Sequence, residues 1–156
     1  MSTELINEKI GFVILNLTAN TDDKILKTIK SVEQHNIFNS TIIFSSDISS
    51  INRYDLPILH INQSQFFDGI LFLFDLPSII MTNKFTNLKK RIFYTNSTPW
   101  LNNFNTNYKE WSSLYDQESL QILSGSQENY DIMSICWKQP IGIMENFDYE
   151  NIKKYI

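Results

Sequence analysis

The chain holds one cysteine, four glycines and, at Ala19, a single alanine among its 156 residues. With Cys136 alone, neither a disulfide framework nor a cysteine-based metal site can form within the chain. No GxGxxG follows the first apolar run, where NLTANT stands instead, and no Walker A sequence occurs. A dinucleotide fingerprint and a P-loop are therefore both excluded. The two histidines give no metal-ligand spacing, since His35 falls at a helix C-terminus and His60 inside a strand. Charged residues make up only 19%, and acidic ones outnumber basic ones 17 to 13. With a net charge of −4 there is no general basic field for wrapping nucleic acid. Lys84, Lys89, Lys90 and Arg91 form a local basic cluster before a strand, either a solvated edge or a phosphate contact. The start, MSTELINEKIGFVILNL, has acidic residues and only a short apolar run. It fits neither a signal peptide nor a membrane span, so a cytoplasmic location is expected.

What is present is a core. Hydrophobic residues reach 42% and aromatic residues 13%, ample for the interior of one domain of this length. Ile and Asn together supply about a quarter of the chain, the skew expected of an AT-rich coding sequence, so Asn-rich spots carry little weight. Seven segments read as strands: Lys9–Leu15, Thr41–Ser45, Ile58–Ile61, Gly69–Phe74, Lys90–Thr95, Leu120–Leu123 and Ile141–Met144. Several are apolar throughout, as in strands covered on both faces. Between them, Thr21 caps a helix carrying Ile25, Leu26, Ile29 and Val32 at helical spacing and ending near His35. Asp75-Leu-Pro-Ser opens a short helix through Met81. Tyr108, Trp111, Leu114 and Tyr115 share one face of another. Ser126 caps a helix through Trp137, with Tyr130, Met133, Cys136 and Trp137 turned inward; Pro140 stops it, and Asp148 caps the closing helix. The alternation predicts an α/β, three-layer, Rossmann-like domain with a mostly parallel sheet of six to seven strands and helices on both faces.

In such a sheet the ligand site lies beyond the carboxyl ends of the strands. Those ends carry Asn16, Thr18, Ser45 to Asp47, Asn62 to Ser64, Asp75, Thr95 to Ser97 and Ser124 to Ser126. The set is rich in hydroxyls and amides and poor in charge, which suits a neutral polyhydroxylated ligand, although loops are polar in any case. Asp75 follows the most hydrophobic strand and is the candidate general base. The same residue before Leu-Pro is also a good turn and cap residue, and the two roles compete. Ser124-Gly125-Ser126 could offer backbone N–H groups to an anion at a helix start. Trp100, Trp111 and Trp137 read as core or rim aromatics.

Three stretches carry a resemblance: GILFLFDLPSI (69–79), RIFYTNSTPW (91–100) and LSGSQENYDIMSICWKQPIGIMENFDYENI (123–152). In element order the chain resembles the N-terminal, Rossmann-like half of GT-B glycosyltransferases, particularly glycosyltransferase-like proteins encoded by large tailed bacteriophages. The resemblance implies one domain over residues 1–156, with 145–156 similar in shape to the interdomain linker and Glu145 and Asn146 in the hinge. It implies a domain that holds a sugar or glycosylated acceptor, with Asp75 as the base and Asn16, Thr18, Thr95, Asn96, Ser124 and Ser126 facing the cleft. No bound metal or cofactor is implied. The donor-binding half would come from a partner protein or a second copy, in the cytoplasm of an infected host cell. A non-catalytic accessory module of a bacteriophage is the alternative. Phage enzymes of this kind often modify DNA bases, but the acidic pI of about 5.1 argues against tight DNA binding by this chain alone.

Overall fold

A computed structural model of the chain describes residues 6–15, 23–35, 38–46, 57–98 and 108–156. Seven strands form one sheet: β1 (Ile6–Val13), β2 (Phe38–Ser45), β3 (Ile58–His60), β4 (Ile70–Leu73), β5 (Lys90–Thr95), β6 (Leu120–Ser124) and β7 (Gly142–Ile143). Every pairing is parallel, and the order is β3-β2-β1-β4-β5-β6-β7. The expectation of a mostly parallel sheet thus becomes an all-parallel one. All four residues of β4 are buried, which explains its uninterrupted ILFL: each face of the strand meets a different protein layer.

Among the described residues, five helices cover the sheet: α1 (Asp23–His35), α2 (Leu76–Thr82), α3 (Tyr108–Tyr115), α4 (Gln127–Cys136) and α5 (Tyr149–Ile152), the last running into a 3₁₀ turn at Lys153–Tyr155. Leu26, Ile29 and Val32 of α1 share one core with Phe12, Phe72, Tyr94, Met144, Phe147 and Ile152. Ile79 of α2, Trp111 and Tyr115 of α3 and Met133 of α4 share the other with Val13, Leu71, Leu73 and Phe93. The alternation of Phe72 and Leu71 between the two cores is the two-residue period of a strand. The result is a three-layer, Rossmann-like α/β fold. Among the described residues, no helix is long and apolar enough to cross a membrane.

Residues 145–156, similar in sequence shape to a linker, lie against the α1 face of the sheet. Phe147 is 2% exposed. Its ring meets those of Phe12, Phe72, Phe74 and Tyr94 at centroid separations of 5.0–6.3 Å. Thr28 Oγ1 of α1 donates to the Phe147 carbonyl at 2.5 Å, and Tyr94 Oη donates to the Met144 carbonyl at 3.1 Å. Asp148 caps α5 as the sequence suggests, its carboxylate accepting from Asn151 N at 2.9 Å.

Several local expectations shift. β6 runs on to Ser124, and β7 shortens to two residues. On α4 the buried residues are Asn129 and Met133 and Trp137 packs against the same core, whereas Cys136 is exposed. The link from β3 to β4 is a 3₁₀ segment, Ile61–Phe66, capped by His60, whose Nδ1 accepts from Asn62 N at 3.2 Å. Three of the four members of the basic cluster bond within the domain, while Lys84 is exposed. Lys89 pairs with Glu8 at 2.8 Å, and Lys90 reaches the Tyr155 carbonyl at 3.3 Å. Arg91 is buried and donates to Gln117 Oε1 and Ser119 Oγ, each at 2.7 Å; its burial lowers the guanidinium pKa.

Replacing Phe147 with Ala empties the centre of a four-ring cluster. Phe147→Ala is expected to lower the unfolding free energy by about 3–5 kcal/mol in urea titration. A loss of about 0.5 kcal/mol, the range of surface substitutions, would show that the closing segment is not part of the core.

Candidate functional site

The strand order reverses between β1 and β4: successive strands run outward one way through β2 and β3 and the other way through β5, β6 and β7. Loops leaving the carboxyl ends on either side of such a reversal diverge and leave a crevice. A cavity of about 420 Å³ opens next to this reversal, at the ends of β4 and β5. That volume is within the range of small-molecule sites, roughly 300–1,000 Å³. Ile25 of α1, Phe74, Leu76, Pro77, Phe93 and Tyr94 give it apolar walls. Asp75, Thr95, Asn96 and Ser97 supply its polar groups. Phe74 and Tyr94 stand on Phe147, at 5.3 and 5.0 Å, so the closing segment backs the cavity's inner wall.

Asp75 is half-buried and is the N-cap of α2. Its Oδ1 accepts from Ser78 N at 2.8 Å and also from Ser78 Oγ. The first turn of a helix has N–H groups without intrahelical partners, and a carboxylate beside them is favourable. The carboxylate therefore does structural duty at the same place where it borders the cavity.

β5 and β6 end in the same device. Thr95 Oγ1 donates to the Ser97 carbonyl at 2.8 Å, and Ser124 Oγ donates to the Ser126 carbonyl at 2.8 Å. Thr95 and Ser124 are register partners, so the two hydroxyl-closed turns lie side by side. Both hydroxyls are folded back on their own turns: Thr95 is 5% and Ser124 0% exposed. Gly125 N donates to the Thr95 carbonyl at 2.8 Å, tying the turns together. The Asn96 side chain lies across Gly125, where a Cβ would stand 1.3 Å from Asn96 Oδ1. Only glycine leaves room for that crossing.

A second, smaller cavity of about 190 Å³ adjoins, lined by Asn96, Ser97, Thr98, Ser126, Glu128, Asn129 and Ile132. Ser126 is the N-cap of α4, its Oγ accepting from Asn129 N at 3.1 Å. Of the residues named from sequence, Asp75, Thr95 and Asn96 border the larger cavity, and Asn96 and Ser126 the smaller. Ser124 lies beneath, fully buried. Asn16 and Thr18 lie outside the described residues, as does Trp100. Sequence reading missed Ile25, Phe74, Tyr94 and Asn129. The first three look like core residues because that is what they also are, and Asn129 drew no attention in a chain so rich in asparagine.

Among the described residues, neither cavity is lined by lysine or arginine. Among the described residues, no group of three His, Cys, Asp or Glu side chains could hold a metal ion. Burial pushes the Tyr115 phenol well above its ordinary pKa, and Tyr115 sits in the α3 core, away from the rim. The chemistry on offer is thus hydrogen bonding by hydroxyls, amides and backbone, with one carboxylate at each cavity, Asp75 and Glu128.

Two glycines separate site from scaffold. At Gly69 a Cβ would lie 2.2 Å from the Lys9 carbonyl oxygen, a backbone atom that cannot step aside. At Gly125 the obstacle is the tip of one exposed side chain. Gly69→Ala is expected to destabilise the domain markedly more than Gly125→Ala in urea titration, while Gly125→Ala shifts the Asn96 side-chain amide resonances. Equal losses of stability would contradict this assignment. Comparison with protein-family models, curated proteins and solved structures finds no match for this chain.

Proposed function

We propose that this domain is the acceptor-side half of a GT-B-like sugar-transfer site, of bacteriophage type, binding a sugar or glycosylated acceptor. A donor-binding partner, another polypeptide or a second copy, would complete the site. The observation that carries the reading is the cleft at the carboxyl rim beside the strand-order reversal. It has apolar and aromatic walls, Phe74 and Tyr94, beneath a polar edge of Asp75, Thr95, Asn96 and Ser97. Sugar rings present apolar faces and hydroxyl edges, which match these walls and this edge.

In this reading Asp75 removes the proton from an acceptor hydroxyl or amine as that group attacks the anomeric carbon of the donor sugar. The proton passes to the carboxylate, the new glycosidic bond forms, and the nucleoside diphosphate leaves with the electron pair of the old bond. General base catalysis of this kind contributes about 10²–10⁴-fold. A binding module without catalysis is the second reading. It is favoured by the two bonds from Ser78 to Asp75 Oδ1, which occupy the carboxylate as a helix cap.

Asp75→Asn separates the two. Asparagine caps a helix about as well as aspartate, so stability should change by only a few tenths of a kcal/mol. In a transfer assay with nucleotide sugars and the reconstituted partner, the rate should fall about 10²–10⁴-fold. An unchanged rate removes Asp75 as the base. Absence of transfer with every donor and partner, together with retained sugar binding, favours the binding module.

A further inference from the structure

Three walls of the larger cavity come from three elements, and all three are tied to one short stretch, residues 144–147. Phe74 follows β4, Tyr94 belongs to β5 and Ile25 to α1. The Phe147 ring packs on the first two, with centroids 5.3 Å from Phe74 and 5.0 Å from Tyr94. Those two rings are 6.3 Å from each other, so each leans on Phe147 more closely than on its neighbour. The backbone of the stretch makes the other ties. Tyr94 Oη donates to the Met144 carbonyl at 3.1 Å, and Thr28 Oγ1 donates to the Phe147 carbonyl at 2.5 Å, both bonds being buried. Thr28 comes three residues after Ile25 and so shares its face of α1.

Phe147, Met144 and Thr28 do not themselves line the cavity. Their bonds are also not local: Thr28 and Phe147 are 119 residues apart in the chain, and Tyr94 and Met144 are 50 apart. Such bonds join elements rather than close a turn. The stretch is itself held firmly. Met144 N donates to the Ser124 carbonyl at 2.7 Å, which anchors it at the end of β6. Phe147 also meets the fully buried rings of Phe12 and Phe72, at 6.3 and 6.0 Å. A close-packed interior has no free volume to absorb a displacement and passes it on. Where residues 144–147 lie therefore fixes where Ile25 stands relative to Phe74 and Tyr94.

We propose that Phe147 is a positioning residue for the larger cavity: with the bonds of Thr28 and Tyr94 to residues 144–147, it sets the width between Ile25 of α1 and the Phe74–Tyr94 wall, and so the fit of a ring-shaped ligand. The positioning stands on the packing. That the ligand is a sugar rests on the acceptor-side reading.

The test compares Phe147→Leu and Thr28→Val with Leu120→Val, a change in the other core at the amino end of β6. Each full-length variant is studied by NMR relaxation without ligand and by titration with methyl glucoside. The Ile25 methyl order parameter is expected to fall in Phe147→Leu and in Thr28→Val, and the Phe74 ring to flip faster in Phe147→Leu. Neither should change in Leu120→Val, which loses stability without touching the tie. Binding of methyl glucoside is expected to weaken about 2–30-fold in both test variants, the range over which residues that touch no ligand act through packed side chains. Leu120→Val should bind as the unaltered chain does. Should Phe147→Leu fail to fold, Thr28→Val decides, since it keeps the side chain's shape and removes only the hydroxyl. An Ile25 as rigid as in Leu120→Val would overturn the proposal, and so would loosened walls with unchanged affinity. If methyl glucoside does not bind the unaltered chain, the sugar reading of the cavity falls, and the order parameters alone decide the positioning.

Discussion

The reversal of strand order at the β1–β4 pair is the constraint on which the rest of this structure depends. Parallel strands joined through a helix cross over with one hand. When the chain stops building outward through β2 and β3 and begins again at β4 on the other side of β1, its helices must change faces. α1 therefore lies on one face, and α2, α3 and α4 lie on the other. The crossovers alone leave the α1 face of β4, β5 and β6 uncovered. Residues 144–156 fill that gap, with Phe147 at the centre of the aromatic cluster. The same reversal splays the loops at the carboxyl rim and opens the cleft.

Scaffold and site are consequently made of the same residues. Phe74 and Tyr94 belong to the core through Phe147 and to the cleft through their other faces. Asp75 and Ser126 cap helices and border cavities. Thr95 and Ser124 spend their hydroxyls on closing the turns that aim Ser97 and Ser126 outward. Rigid support beneath a site lowers the entropy lost when a ligand is held. A polar rim on this aromatic base is the surface on which the proposed binding of a hydroxyl-bearing molecule rests.

Much of the fold was legible because its signals are local. GILFLF reads as a strand covered on both faces and holds β4, KRIFYT begins and ends where the sequence places it, and the caps Asp75, Ser126 and Asp148 all act at their expected helix starts. What failed depends on distant partners. Cys136 was read as inward with Met133 and Trp137, yet those two pack on the core and Cys136 is exposed. The 3₁₀ crossover at Ile61–Phe66 has no periodic pattern to announce it. Residues 145–156 carry a shape shared by linkers and closing helices, and only the packing of Phe147 against four other rings shows where they lie. The rim was found from strand ends, but Asn129 was not, because its significance lies in a bond to Thr95, 34 residues earlier.

The central claim is that the rim between β4 and β6 receives a neutral hydroxylated ligand. Crystals of the protein soaked in concentrated methyl glucoside test it most directly. The expected result is a sugar ring in the cavity at the ends of β4 and β5, against Phe74 and Tyr94 and beside Asp75. Sugar bound only elsewhere, for example in the groove between Phe44, Leu59 and Phe66, with the rim occupied by solvent alone, would contradict it.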